Sequence, residues 1–336
     1  MKTTKLFFLG YGLITRPFRV GLLIIISLCS LFLSCSTYKM VTIARNTRPI
    51  IKQYPEMRIL EYGKGKAYEF KNDNTDKLII NIEGSSWHSV LGYTSDNAFH
   101  KSGWWYFLVE EYKNEFTIFI PEKLNFELGN YYFFDINARR QYNLENLIES
   151  YSNVINAYLL ENNYSKIYLM ASSEGACILP RLYKKLEQKD TITGLVSISF
   201  GGLSMYEQIK ILADSELNVP DLLRSVYQNI DDYMVEINRY PNSIGDFIGF
   251  PFSYWKSMIN YRPIEDYSEI NIPVLFVHGE LDINTPVNST RYIQNYFPHK
   301  PFEYLFFADA DHHSFRSSLR TINELRNKTR QWINKH

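Results

Sequence analysis

Cysteine is scarce in this chain. Only Cys29, Cys35 and Cys177 occur in 336 residues, too few for a disulfide framework or a paired-cysteine metal site, so stability must come from core packing. No HExxH stretch is present, and no glycine-rich dinucleotide fingerprint follows the first apolar strand. The clustered Asp309, Asp311, His312 and His313 lack any such pattern around them, so no metal and no cofactor is expected. Charge of one sign is not in excess either. With 36 basic and 36 acidic residues the formal net charge is zero, which gives no reason to expect nucleic acid as a partner and leaves a small molecule or short peptide as the default substrate. Internal repeats and low-complexity tracts are also missing. What the chain does have is 45% hydrophobic residues and length enough to bury a large core.

The first residues are of a different kind. Lys2, Lys5, Arg16 and Arg19 precede VGLLIIISLCSLFL at 20–33, an uncharged run that is short for a spanning helix needing about 20 apolar residues. It reads as a signal-peptide core. Directly after it, LFLSC sets Ser34 before Cys35, which resembles the lipobox at which bacterial lipoproteins are cleaved and lipidated. The alternative is an uncleaved N-terminal anchor over 1–34. In both cases the early basic residues stay inside, residues 35–64 form a tether, and an exported, membrane-attached body follows on the periplasmic or cell-surface side.

Beyond residue 65 two kinds of segment alternate. KLIINIEG, EFTIFIP, KIYLMAS, TGLVSISFGG, IPVLFVHGE and FEYLFFADA are short β-branched and aromatic runs that close in turn residues. Longer amphipathic stretches such as NLENLIESYSNVINAYLLEN lie between them. The expected fold is α/β, a mostly parallel sheet with helices on both faces, over 65–202 and 269–336. Residues 203–268, helical and aromatic with no obvious strand, break the alternation and are expected to form a lid over a cleft.

Within YLMASSEGACILP, at 168–180, two serines stand where a strand turns into a helix. A nucleophile at such a turn needs small residues two before and two after it. Ser173 has Ala171 and Gly175; Ser172 has Met170 and Glu174. Ser173 is therefore the candidate, the competing reading being a helix cap. Asp282 follows the IPVLFVHGE strand, and His312 and His313 follow FEYLFFADA, giving the chain order Ser, Asp, His.

On these residues the chain from about 65 to 333 resembles an α/β-hydrolase. AxSxG stands where GxSxG is usual. GELDINTPV is similar to the GExDxxTP segment of serine aminopeptidases of the proline iminopeptidase kind, and DADH to the histidine loop of prolyl-oligopeptidase relatives. The resemblance implies Ser173, Asp282 and His312 as a catalytic triad, with Glu280 excluded as the acid and His313 open as an alternative base because HSF also fits a related pattern. It implies an oxyanion hole from the backbone N–H groups of Glu174 and, in the loop after LIINIEG, Ser85. In the family that strand typically ends in His-Gly; here Glu83 and Gly84 stand there.

Glu83 and Glu174 are candidates to read a substrate's amino group, the alternatives being an ion pair of Glu83 with Arg139 or Arg140 and a solvent-facing Glu174. Trp87, Trp104, Trp105 and Trp255 are either pocket or core. Cys177 is expected to be buried, and Pro180 to kink or shorten its helix. The expected activity is an exported serine hydrolase acting on an ester, thioester or short peptide. An inactive binding lipoprotein of the same fold and an acyltransferase with the same triad are the alternatives.

Overall fold

Alternate residues of each central strand face two separate cores, and this places the sheet in the middle of the molecule. In β3 (Lys77–Ile82), Leu78, Ile80 and Ile82 join one core while Ile79 joins the other; Leu169 and Ala171 part from Tyr168 and Met170 in the same way. Burial on both faces explains why these strands read as unbroken apolar runs. The structure, a computed structural model, describes residues 48–336 apart from 96–97, 129–134 and 241–245. The segment at 1–34 and Cys35 thus lie outside the described residues. Among the described residues no helix is long and apolar enough to cross a membrane.

The strands in chain order are β1 (Met57–Tyr62), β2 (Gly65–Phe70), β3, β4 (Gly92–Ser95), β5 (Ala98–Lys101), β6 (Thr117–Pro121), β7 (Lys166–Ser172), β8 (Gly194–Ile198), β9 (Asp246–Phe247), β10 (Phe250–Pro251), β11 (Val274–Gly279) and β12 (Phe302–Phe307). Eight of them form one sheet in the order β1-β2-β6-β3-β7-β8-β11-β12, parallel from β6 to β12. The six strands expected from sequence are β3, β6, β7, β8, β11 and β12. The amphipathic stretch forms the helix Leu144–Glu161, whose first turn is capped by the Asn143 side chain accepting from the Asn146 N–H.

Residues 48–62 correct the expected tether. Arg48–Gln53 is helical, and β1 pairs antiparallel with β2, which pairs antiparallel with β6. The physical reason is that β1 is an edge strand; most of its side chains reach solvent, so it carries no apolar run. Residues 203–268 hold the helices Met205–Asp214, Asp221–Gln228, Ile230–Arg239, Phe252–Met258 and Pro263–Tyr267 with the small β9–β10 pair. They fall in the same compact unit, Arg45–His336, as the sheet.

Ile50 and Tyr54 are buried, and the Tyr54 ring packs edge-on against Trp105 with centroids 5.1 Å apart. A chain starting at residue 65 should therefore unfold about 5 °C or more below one starting at residue 48, because burial of such side chains contributes about 2 kcal/mol each. Thermal unfolding of the two chains checks this; equal midpoints would return residues 48–62 to the role of tether.

Candidate active site

The turn from β7 into the helix Glu174–Lys185 is compressed against the end of β3. A Cβ on Gly175 would stand 2.3 Å from the Ile82 carbonyl oxygen, and one on Gly84 would stand 3.1 Å from Ser173 Cβ. Only glycine fits position 175 without moving backbone. The bend holds Ser173 at φ 52, an unfavourable conformation for a residue with a side chain, costing of order 1–3 kcal/mol. Ser173 precedes the helix, yet its hydroxyl makes no capping bond. Instead Ser173 Oγ lies 3.1 Å from His312 Nε2. Ser172, by contrast, remains in the β7 ladder opposite Ile198.

His312 reaches the serine from the loop after β12. Its Nδ1 is 2.8 Å from Asp282 Oδ2. Two loops set this distance, and they are stitched together: Leu281 N–H donates to Ala310 O, and a Cβ on Gly279 would stand 2.3 Å from that same oxygen. Asp282 is fully buried and well satisfied, with Oδ1 accepting from the N–H groups of Asn284 and Thr285 and Oδ2 lying 2.9 Å from Thr285 Oγ1. Burial works against its charge, but the His312 hydrogen bond, the charges of His312 and His278, and the Thr285 N–H outweigh it and hold the carboxyl below its ordinary value of 3.8. With Asp282 ionised, Nδ1 carries the ring proton and Nε2 is the acceptor facing Ser173. His313 is exposed, and Glu280 is paired with Arg291.

The two glutamates differ from expectation. Glu83 is buried, and both its oxygens accept from the Trp104 N–H, with Oε1 also accepting from Trp105 N–H and Asn81 Nδ2. Its partner is the start of the helix Trp105–Tyr112, where free N–H groups favour an anion, rather than Arg139 or Arg140. Arg139 pairs with Asp246. Glu174 is not solvent-facing; it is buried and accepts from Tyr142 Oη at 2.6 Å. Burial raises its pKa, while Lys123, Tyr142 and Tyr254 oppose that rise.

Two cavities meet at Ser173, Ser85, Asn284 and His312. The first, about 190 Å³, is lined by hydroxyls and imidazoles, among them Ser86, His88, Ser102 and His313, along with Trp104 and Glu83. The second, about 210 Å³, is walled by Phe200, Ile209, Tyr227, Phe250, Tyr254 and Trp255. Trp105 is core, and the Trp87 ring lies tilted against Tyr142 and Phe250. Among the described residues neither the Ser85 nor the Glu174 N–H has an acceptor within the chain. Cys177 is buried with its thiol pKa pushed well up, and the helix runs through Pro180 without breaking. Of the pocket-or-core candidates Trp104 and Trp255 line the cavities, whereas Thr285, Asn284 and the other aromatic walls escaped sequence reasoning. For Thr285 a signal existed, since it lies inside GELDINTPV.

No family profile and no curated relative matches the chain. Solved structures do. The chain is similar to proline iminopeptidase of Mycobacterium smegmatis, with TM-score 0.55 and 13% identity over 83% of this chain and 98% of that one. It is similar to Est1E of Butyrivibrio proteoclasticus, with TM-score 0.56 and 15% identity over 83% of this chain and all of that one. With Pyrococcus horikoshii acylaminoacyl peptidase the TM-score is 0.54 at 14% identity, over 87% of this chain but 43% of that longer one. The sheet order and these likenesses establish an α/β-hydrolase fold.

Because the folded Asp282 carboxyl sits below its ordinary value, the stability it contributes is fully present above the unfolded value and is lost as pH falls through the folded one. Thermal unfolding followed from about pH 5 to about pH 2 should fall less steeply in Asp282→Asn than in the natural chain. Identical slopes would mean that the carboxyl is not held ionised.

Proposed function

We propose that this protein is a serine hydrolase that opens an ester, thioester or short peptide through an acyl-enzyme. One observation carries the reading: Ser173 Oγ, His312 Nε2 and Nδ1, and Asp282 Oδ2 follow one another at 3.1 and 2.8 Å, on a strained turn that projects the hydroxyl. His312 takes the Ser173 proton as Oγ attacks the acyl carbon, and Asp282 holds the ring in the required tautomer and stabilises the imidazolium. The negative oxygen of the tetrahedral intermediate turns to the Ser85 and Glu174 N–H groups. His312 then protonates the leaving group, and a water activated by the same ring releases the acid.

The second cavity suits a compact or single-ring acyl group, and the hydroxyl-lined first cavity a polar leaving group. Est1E is described with ferulic acid bound, and the other two neighbours are named as peptidases, so esters and amides are both to be tried. p-Nitrophenyl acetate and phenylacetate should be hydrolysed and the palmitate should not. Ser173→Ala should abolish turnover, and Asp282→Asn should lower kcat by about 10⁴, the loss that follows when the histidine tautomer is no longer fixed. Turnover that survives in Ser173→Ala, or a well-folded natural chain inert toward all short acyl esters and aminoacyl arylamides, would overturn the proposal.

For location, the same proposal sets the protein on the outer side of a membrane, attached through residues 1–34 or a lipid on Cys35. An alkyne-bearing fatty acid supplied to expressing bacterial cells should label the natural chain and leave Cys35→Ala unlabelled. Equal labelling of both would reject lipidation at this residue.

A further inference from the structure

The loop that carries the Ser85 N–H is fixed from below by two consecutive charged residues, Glu122 and Lys123, that follow β6 and are almost completely buried. Glu122 accepts from Ser89 Oγ, from the Val90 N–H at 3.0 Å and from Tyr68 Oη at 2.8 Å, so it anchors the far end of the loop. Lys123 Nζ donates to Ser86 Oγ at 2.9 Å and to the Ser86 carbonyl at 3.2 Å, one residue from the candidate oxyanion donor. The same ammonium lies 5.4 Å from the centre of the Tyr142 ring, and Tyr142 Oη donates to Glu174 Oε1. Glu174 supplies the other candidate donor through its backbone. One buried lysine therefore bonds the residue next to one candidate donor and lies beside the tyrosine that bonds the side chain of the other.

Removing an ammonium from water is costly, and a Met of similar length would fill the space without that cost. Burial pushes the Lys123 pKa down, and the carboxylates of Glu174, Glu122 and Glu83, in that order of strength, oppose the fall without cancelling it. Resting on the serine hydrolase reading for its kinetic part, we propose that Lys123 is a positioning residue for the oxyanion hole: it aims the Ser85 N–H by holding Ser86 and offsets the buried Glu174 carboxylate beside the nucleophile.

Three variants separate these roles from simple packing: Lys123→Met, Lys123→Met with Glu174→Gln, and Ser86→Ala. Loss of a whole oxyanion donor costs about 10²–10³ in kcat, so a misaimed one should cost about 10- to 100-fold. Lys123→Met should lower kcat by that factor with KM changed less than about two-fold, and should lower the melting temperature because Glu174 is left uncompensated. Adding Glu174→Gln should recover the melting temperature without recovering kcat. Ser86→Ala, at a half-buried site that does not threaten folding, should lower kcat several-fold. Hydrogen–deuterium exchange of residues 84–88 reads the loop without any turnover; it should quicken in every folded Lys123 variant and in Ser86→Ala. If the natural chain proves inert toward all substrates, the hydrolase reading falls while the exchange result still decides the positioning claim. Unchanged exchange, or kcat within about two-fold of the natural chain in a folded variant, overturns it.

Discussion

The close approach of two backbones governs this site. Where β7 ends, the chain must turn into a helix within a few residues while passing against the carbonyls of Ile82 and Glu83, and Gly175 has no room for a side chain there. The turn cannot relax outward without losing the helix, nor inward without meeting β3. Ser173 absorbs the conflict in an unfavourable φ, and its hydroxyl is left facing the imidazole instead of capping the helix. Strain of this kind persists only where the surroundings over-determine it. Here they do, through the parallel pairing of β7 with β3 on one side and β8 on the other.

Around that turn the chain uses backbone N–H groups to hold buried negative charge. Asp282 is bonded by the N–H groups of Asn284 and Thr285, Glu83 by those of Trp104 and Trp105, and Glu122 by those of Val90 and Lys123. A carboxylate held this way needs no cation in direct contact, because N–H dipoles already fixed by the fold replace the water it has lost. The three together fix Asp282 beside His312, the wall of the polar cavity and the loop that faces Ser173. Lys123, buried beside them, donates to Ser86 in the loop that faces Ser173.

Much of this was legible in the sequence. The six central strands stood out because burial on both faces forces unbroken apolar runs, and the choice of Ser173 over Ser172 followed from needing small residues at 171 and 175. The rest was hidden for physical reasons. β1 gave no signal because an edge strand with one open face tolerates Arg58 and Glu61. The role of Glu83 was hidden because its partners are main-chain groups some twenty residues away, which leave no mark in side-chain identity. Adjacent histidines cannot be told apart by spacing. The loop after β12 decides between them by turning His312 toward Asp282 and His313 toward solvent. Glu122 and Lys123 had a faint signal, two charges directly after a wholly buried strand, which could as well have marked a solvated turn.

The central claim is that one hydroxyl, at position 173, is made nucleophilic by His312 and Asp282. Intact-protein mass measurement after treatment with a fluorophosphonate, followed by peptide mapping, tests it most directly. The account predicts a single adduct on Ser173, absent from Ser173→Ala and formed far more slowly in His312→Ala. An adduct on Ser172 or Ser85, or none on a folded chain, would contradict it.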